Sequence, residues 1–267
     1  MEFHYILGYF LAVLVGISLG LIGSGGSILS VPILVYIMKI EPVIATGYSL
    51  FIVGSTALIG GIQKAREKLV DFKKVFLFGI PTVITVFITR LFLLPRIPKT
   101  IFLGDFFILK SNLIMIVFAI VMLFASIRMI KPIKNNVNTN TTKINYFRIS
   151  LQGIFIGLIA GFVGAGGGFL IIPALLFLLK TPMKMAVGTS LFIVASQSLI
   201  GFVGDLNTSS TLINWKLLFI FTSLSVVGFF IGNVISKKIS GEKLKTGFGY
   251  FVLAMAIYII SKEVFLN

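Results

Sequence analysis

The sequence predicts an all-α polytopic membrane protein with about eight transmembrane helices in two homologous halves. The first observation is composition: 57% of the 267 residues are hydrophobic and only 12% are charged, with a mean hydropathy of +1.09. The second is that several apolar runs reach the roughly 20 residues that a helix needs to cross a bilayer. The third is an internal repeat with a glycine cluster at the same point of each half. A soluble core of this length could not bury so much apolar surface.

The repeat relates the two halves by a shift of 141 positions. The segment Gly20 to Pro32 reappears as Gly161 to Pro173, and about 19 of the 41 positions from 20 to 60 are identical in the second copy. Such similarity at a fixed offset indicates two related structural units. We therefore predict an N-terminal transmembrane repeat at residues 1–130, a polar linker at 131–148 and a C-terminal transmembrane repeat at 149–267.

Ten apolar segments are predicted to be helical. They cover residues 5–22, 27–38, 43–62, 75–94, 112–130, 149–163, 168–179, 186–204, 215–236 and 246–262. The second and seventh segments are too short to cross a bilayer comfortably, and each directly follows a glycine cluster. The first and second segments, like the sixth and seventh, are therefore interpreted as broken helices or re-entrant hairpins. After the fourth segment, Pro95 to Pro98 leads into an interfacial connection.

The distribution of basic residues favours inverted repeats. If each broken segment crossed the membrane once, the 23 Lys and Arg residues would divide about evenly between the two faces. If each break instead makes a hairpin that returns to its starting side, or crosses twice, about 16 of the 23 lie on one face and 7 on the other. The second division matches the excess of Lys and Arg in cytoplasmic loops. We predict a multi-pass protein of a prokaryotic plasma membrane, with both termini outside.

Several functional classes are excluded by composition. The net charge of +15 suits short loops beside anionic lipid headgroups, and no basic surface domain is present for nucleic acid. The chain has no cysteine and one histidine, His4, so neither a thiolate metal site nor a histidine-based triad can be assembled. The eight acidic residues fall at segment ends or in loops. We predict no enzyme activity, no cofactor, no metal site and no nucleic-acid partner.

The glycine clusters are predicted to bind an anion through backbone amides. A short helix that starts at Ser27 or Gly168 would present unpaired N–H groups, and glycines allow a ligand to approach them closely. No buried Lys or Arg is expected nearby to neutralise the anion. The alternative is that the glycines only permit close helix packing. The candidate residues are Gly23, Ser24, Gly25, Gly26, Ser27, Gly164, Gly166, Gly167 and Gly168.

A second paired feature opens the helix that follows each short segment. Its small and hydroxyl residues either cap or pack that helix, or they line the same cavity if the two hairpins face each other. The candidates are Gly47, Ser49, Gly188, Thr189 and Ser190. Gln197 is the strongest polar residue within an apolar segment. Because an intramembrane amide usually has a partner or a ligand, we expect it to bind the ligand or a cavity water.

At these residues the sequence resembles the sulfite exporter TauE/SafE family of membrane transport proteins. The resemblance covers nearly the whole chain and includes the continuation of each glycine cluster, Gly47 to Phe51 and Gly188 to Phe192. It implies secondary transport of small sulfur-containing anions such as sulfite or organosulfonates. We expect alternating access at a midplane site formed by the two glycine breaks. An anion channel and a membrane-embedded enzyme are the alternatives.

The expected partners are a small anionic substrate and membrane lipid. No sequence feature resembles an ATPase motor, so movement is either coupled to a proton or another ion or runs downhill. No particular oligomeric state is predicted.

Overall fold

A computed structural model describes residues 2–23, 26–103, 106–130, 146–164, 166–177, 179, 181–206 and 213–265. Helices dominate this part of the chain. In order they are α1 (Glu2–Ile22), α2 (Gly26–Pro32), α3 (Pro42–Arg66), α4 (Phe72–Ile88), α5 (Leu94–Arg96), α6 (Lys110–Ile130), α7 (Tyr146–Val163), α8 (Gly168–Phe177), α9 (Met183–Leu206), α10 (Trp215–Ser236) and α11 (Gly241–Phe265). Every predicted apolar segment therefore contains a helix. Most of the predicted linker, residues 131–145, lies outside the described residues.

Two π-helical turns extend helices of the first half. The turn Ile33–Ile37 follows α2, and the turn Thr89–Leu93 joins α4 to α5. A π-helical turn inserts an extra residue into the ladder of backbone hydrogen bonds and is frequent at functional sites. The second of these turns carries the charged residue Arg90.

Polar side chains set the start of three long helices. The carboxylate of Glu41 accepts the backbone N–H of Ile44 at the start of α3, where Pro42 occupies the first turn. Asp71 caps α4 and Asn214 caps α10 in the same way. Such caps satisfy backbone N–H groups that have no acceptor within the helix. A proline in the first turn costs no helical hydrogen bond, because an N–H at that position would have no acceptor in the helix.

The connection after α5 forms a small β-hairpin. Strand β1 (Thr100–Leu103) pairs antiparallel with β2 (Phe106–Leu109), and Thr100 lies opposite Leu109. The sequence predicted only an interfacial connection here, because two strands of four residues are too short to give a clear alternating pattern.

The described residues include six helices long and apolar enough to cross a membrane. Large apolar side chains cover the outer faces of α1 and α6, where Phe10 and Phe124 are 69% and 67% exposed, and of the shorter apolar helix α7, where Phe155 is 65% exposed. Water would oppose such exposure, whereas lipid favours it. The fold is therefore that of an α-helical multi-pass membrane protein, while the predicted total of about eight spans stays a prediction.

The helices α3 and α9 form the centre of the molecule. Two-thirds (67%) of the apolar window in each is buried, against 44% or less in the other four spans. Gly47 near the start of α3 faces Asp205 near the end of α9, and Gly188 near the start of α9 faces Lys64 near the end of α3. The two helices therefore run antiparallel, and we call them the central pair.

The outer helices pack across the two halves. On α1, Gly16 and Gly20 lie against the backbone of α10, where Gly228 and Gly232 lie against the backbone of α1. The α7 residues that correspond to Gly16 and Gly20, at 157 and 161, lie against Thr82 to Val86 of α4 and against Thr89 of the following π-helical turn. Glycines without side chains allow this close approach between helices in a membrane. Each half thus contributes one helix to the packing of the other.

Candidate functional site

Both glycine clusters break the chain at corresponding residues. The N–H of Gly23 donates to the carbonyl oxygen of Leu19 at 2.7 Å, and that of Gly164 to Ala160 at 2.9 Å. The helix then ends, because φ is +80° at Gly23 and +73° at Gly164. Glycine adopts this left-handed conformation without the steric cost that other residues meet. The breaks predicted from the sequence are confirmed at both places.

The second cluster, Gly164 to Gly168, lies against α3, α9 and Arg90 of the π-helical turn Thr89–Leu93. We call this cluster the second glycine loop. Gly166 and Gly167 also have positive φ, and α8 starts at Gly168 as predicted. A Cβ on Gly166 would lie 2.7 Å from the hydroxyl oxygen of Ser198. The side-chain amide of Gln197 donates a hydrogen bond to the carbonyl oxygen of Gly166. The structure thus brings four of the predicted glycines together with the predicted amide.

The first cluster is only partly described. A Cβ on Gly23 would lie 2.5 Å from the side chain of Val187 on α9, and Gly26 packs on Leu19 of α1. Helix α2 starts at Gly26, one residue before the predicted start. Ser24 and Gly25 lie outside the described residues, as does the side chain of Ser27.

The small residues at the starts of α3 and α9 lie at opposite ends of the central pair. Gly47 faces Asp205, whereas Gly188 faces Leu69 and Lys64. The two ends are about 25 Å apart, given the rise of 1.5 Å per residue between positions 188 and 205 of α9.

The predicted hydroxyl residues bond within the protein. Ser49 shares a hydrogen bond with Ser30 on α2. Thr189 accepts the backbone N–H of Asp71 at 3.0 Å, and Ser190 donates to the carbonyl oxygen of Val187 at 2.8 Å. These contacts fit the capping and packing roles considered from the sequence.

A buried arginine adjoins the second glycine loop. Arg90 is 0% exposed, and its Nη1 donates to Asp205 Oδ2 at 2.8 Å and to Thr46 Oγ1 at 3.2 Å. Its Nη2 lies so close to Gly164 that a side chain there would collide with it. Neither Nε nor Nη2 has a hydrogen-bond partner among the described residues. Two donors of a buried cation are therefore left unsatisfied beside the loop.

The expectation that no buried Lys or Arg lies near the glycines is wrong. Arg90 stands near the end of the predicted apolar segment 75–94, and the division of basic residues counted it among the seven on the outer face. In the structure the π-helical turn Thr89–Leu93 continues the helix through it. Gly204 on α9 leaves room for the side chain, since a Cβ there would lie 3.2 Å from Arg90 Cβ. The available signal was a charge followed by the apolar residues Leu91 to Leu94.

Asp205 was also interpreted as a solvated charge at a segment end. Its side chain is only 16% exposed and forms the ion pair with Arg90. The partners are 115 positions apart in the chain. A charge at the end of one apolar segment and a charge inside another give no sign that they meet until the helices are packed.

A cavity of about 600 Å³ extends from solvent-exposed residues to this ion pair. We call it the Arg90 cavity. Its charged lining residues are Glu41, Arg90, Lys99, Lys110 and Asp205. Three cations against two carboxylates leave one excess positive charge. Tyr48 also lines the cavity, and its hydroxyl accepts the N–H of Asn214 at 2.8 Å.

A second cavity, of about 570 Å³, lies at the other end of the central pair. We call it the Lys64 cavity. The buried Lys64 pairs with Glu67 at 2.9 Å, and Glu67 also pairs with the exposed Lys237 at 3.5 Å. Desolvation raises the pKa of the Glu67 carboxyl, but the two lysines outweigh it and hold the pKa below its ordinary value. With Lys184 in the lining, this cavity also carries excess positive charge.

Known proteins resemble this chain over most of its length. The family model described as sulfite exporter TauE/SafE matches residues 9–259. The chain belongs to the sulfite exporter TauE/SafE family. It is 32% identical over 254 residues to a probable membrane transporter protein of Xylella fastidiosa strain Temecula1, covering 92% of this chain and 91% of that protein. No solved structure matches it.

Two further relatives carry similar names. The probable membrane transporter protein YunE of Bacillus subtilis is 27% identical over 226 residues, which are 78% of this chain and 81% of that protein. The probable membrane transporter protein MJ0441 of Methanocaldococcus jannaschii is 35% identical over 114 residues, 40% of this chain and 42% of that protein. This TauE/SafE protein is thus a membrane transporter and not an enzyme.

Proposed function

We propose that this TauE/SafE protein is a secondary transporter of small anions. Its proposed binding site is the buried end of the Arg90 cavity, beside Arg90. The observation that carries the proposal is the fully buried Arg90, whose Nε and Nη2 have no hydrogen-bond partner among the described residues and whose Nη2 lies beside Gly164. A buried cation with unsatisfied donors is costly unless it serves a ligand or a partner. In a membrane protein such a residue marks a substrate or ion pathway.

The chemistry of the site suits an oxyanion. A guanidinium presents its donors in a planar fork that matches two oxygens of one anion. The second glycine loop adds backbone groups at the start of α8, where the helix dipole also favours negative charge. The excess positive charge of the cavity attracts anions from solution. We propose sulfite or an organosulfonate as the substrate class, since each presents several oxygens on one sulfur and the family is described by sulfite export.

Reciprocal contacts support an inverted repeat. Gly164 lies against Thr46 while Gly23 lies against Val187, which occupies the position of Thr46 in the second copy. Tyr48 accepts an N–H from the cap of α10, and its counterpart Thr189 accepts one from the cap of α4. The antiparallel central pair and the exchange of outer helices follow the same relation. Two halves related in this way are typical of secondary transporters.

We further propose alternating access between the two cavities. They lie at opposite ends of the central pair, and each ends at an ion pair, Arg90 with Asp205 and Lys64 with Glu67. Between them lies a buried region that contains Gly166 of the second glycine loop. Exposing that region to one cavity at a time would carry an anion across without a continuous pore. We also propose that the first glycine cluster contributes to this site, which the variant Gly23→Val tests.

The test is exchange of labelled sulfite in proteoliposomes. We expect saturable counterflow in the unaltered protein and a loss of at least about tenfold in Arg90→Lys, because an ammonium cannot reproduce the guanidinium fork. Arg96→Lys is the matched control, since Arg96 is exposed and lies over the Phe92 ring at the surface. Ion currents that do not saturate would indicate a channel instead. Full activity of Arg90→Lys would show that the anion does not bind at Arg90.

A further inference from the structure

We propose that Asp205 is the proton-binding group of a proton-coupled anion transporter, and that Arg90 links proton binding to anion binding. The inference rests on the proposed function and names its coupling ion. Asp205 Oδ2 lies 2.8 Å from Arg90 Nη1, and its side chain is 16% exposed while that of Arg90 is 0% exposed. The Asp205 carboxylate can therefore receive a proton from the cavity. The Arg90 guanidinium is not exposed, so water cannot replace Asp205 as its partner.

Space around the carboxylate is maintained by a glycine. A Cβ on Gly47 would lie 2.8 Å from Asp205 Oδ2. Thr46, the neighbour of Gly47, accepts from the same Nη1 that pairs with Asp205. The start of α3 thus holds the arginine while leaving the acid unobstructed.

The charged and titratable groups around Asp205 come from four parts of the chain. Arg90 is in the π-helical turn after α4, Lys110 begins α6, Glu41 and Tyr48 belong to the start of α3, and Lys99 precedes the hairpin. The Nζ of Lys110 already donates to the carbonyl oxygen of Leu94. The direct ion pair of Asp205 among the described residues is therefore with Arg90.

The charge balance couples the two ligands. With Asp205 ionised, the pair is neutral, and an anion beside it would meet a carboxylate at close range. With Asp205 protonated, Arg90 is a buried cation without a counter-charge, which is strongly unfavourable until an anion takes that place. Proton and anion therefore stabilise each other's binding, and this coupling is reciprocal. For a monovalent anion the loaded and unloaded sites carry the same net charge.

A proton from water on one side binds an Oδ of Asp205, and the anion accepts hydrogen bonds from the guanidinium that the acid has released. On the other side the anion dissociates, the proton returns to water, and the ion pair forms again. No covalent bond other than the O–H bond changes.

The experiment uses methanesulfonate, a sulfonate that stays a monoanion in the pH range of the assay. Counterflow of labelled methanesulfonate without a pH gradient is measured first, and its absence would contradict the proposed function itself. An inward proton gradient of one pH unit is then applied. For one proton per anion we expect about tenfold accumulation, because one pH unit is a factor of ten in proton activity.

Asp205→Asn is the decisive variant. We expect it to lose the accumulation driven by the gradient while measurable counterflow remains, since the amide keeps a carbonyl oxygen for Arg90 but cannot carry a proton. Glu263→Gln, on α11 and bonded to Tyr36, is the control and should respond to the gradient like the unaltered protein. Gradient-driven accumulation by Asp205→Asn, or its loss in Glu41→Gln alone, would overturn the proposal.

A measurement on the unaltered protein covers the case in which Asp205→Asn does not fold. A pH-sensitive dye inside the vesicles reports protons as methanesulfonate is added outside without any gradient. We expect the lumen to acidify, and the rate of acidification to depend on methanesulfonate concentration in the same way as the rate of transport. Transport of methanesulfonate without acidification would overturn the proposal without touching the proposed function.

Discussion

The side-chain amide of Gln197 on α9 donates a hydrogen bond to the carbonyl oxygen of Gly166. The other end of the amide, Oε1, is buried and has no hydrogen-bond partner among the described residues. Gln197 was expected to bind the ligand or a cavity water. The structure connects its amide nitrogen to the second glycine loop, and the binding of a ligand or a water by Gln197 stays a prediction.

We expect Gln197→Leu to abolish anion exchange while its abundance in the membrane stays within about twofold. Leucine has a similar size, and a single hydrogen bond contributes only about 0.5–1.5 kcal/mol to folding. Exchange in proteoliposomes and the amount of monodisperse protein recovered in detergent measure the two effects. The control is Ser196→Ala, because Ser196 is exposed and bonds to Phe192 of its own helix. Disappearance of Gln197→Leu from the membrane would show a structural role.

The valine variants test whether the glycine loops bind the anion together. Gly166→Val places a side chain on a residue with φ +63°, at a strain of about 1–3 kcal/mol. Gly23→Val does the same in the first cluster, where φ is +80°. We expect both variants to lose anion-dependent thermal stabilisation and transport together, because a ligand stabilises only the state that it binds.

The matched control for these variants is Gly247→Val. Gly247 lies on α11, and a Cβ there would have no heavy atom within 4 Å. Alanine at Gly166 is the milder variant, with partial binding expected. A folded Gly23→Val protein that binds and transports normally would show that the first cluster only packs helices.

The Lys64 cavity predicts a dependence of stability on pH. The pKa of Glu67 is lower in the folded protein than its ordinary value of 4.5. Its ion pairs therefore stabilise the fold fully above that value, and this contribution is lost as the pH falls through the folded pKa. Between about pH 6 and pH 3 we expect the Tm of the unaltered protein to fall about 1–3 °C more than that of Glu67→Gln. Parallel Tm curves for the two proteins would contradict the assignment.

The charge distribution predicts the orientation in the membrane. If the two halves are inverted as predicted, about 16 of the 23 basic residues fall on the face of residues 64–74 and 131–148, and this face should be cytoplasmic. Reporter fusions in both stretches should therefore give cytoplasmic activity, and a fusion at the C-terminus should not. A cytoplasmic C-terminus would contradict the inverted arrangement of the two halves.

The sequence was sufficient for features that depend on local composition. Apolar length determines where a membrane helix can form, so segments such as 43–62 and 186–204 reappear within α3 and α9. The breaks at Gly23 and Gly164 were also predictable, because two dense glycine clusters at one repeat position interrupt otherwise apolar runs.

Features that depend on pairing between distant helices were missed. Arg90 lies in a π-helical turn and is fully buried, and Asp205 becomes its partner only because α9 packs against that turn. Gln197 could be identified as unusual, but its contact with Gly166 depends on how the loop folds back. Neither the Arg90–Asp205 contact nor the Gln197–Gly166 contact can be predicted from the sequence of a single apolar segment.

The exchange of outer helices between the halves has a consequence for biogenesis. Helix α1 ends at Ile22, and the helix that its glycines fit begins at Trp215, about 190 residues later in synthesis. At roughly 5–20 residues per second, α1 waits in the lipid for about 10–40 s before that surface exists. Helix α4 waits likewise for α7. The first half therefore cannot complete its packing before helices of the second half have been synthesised and inserted.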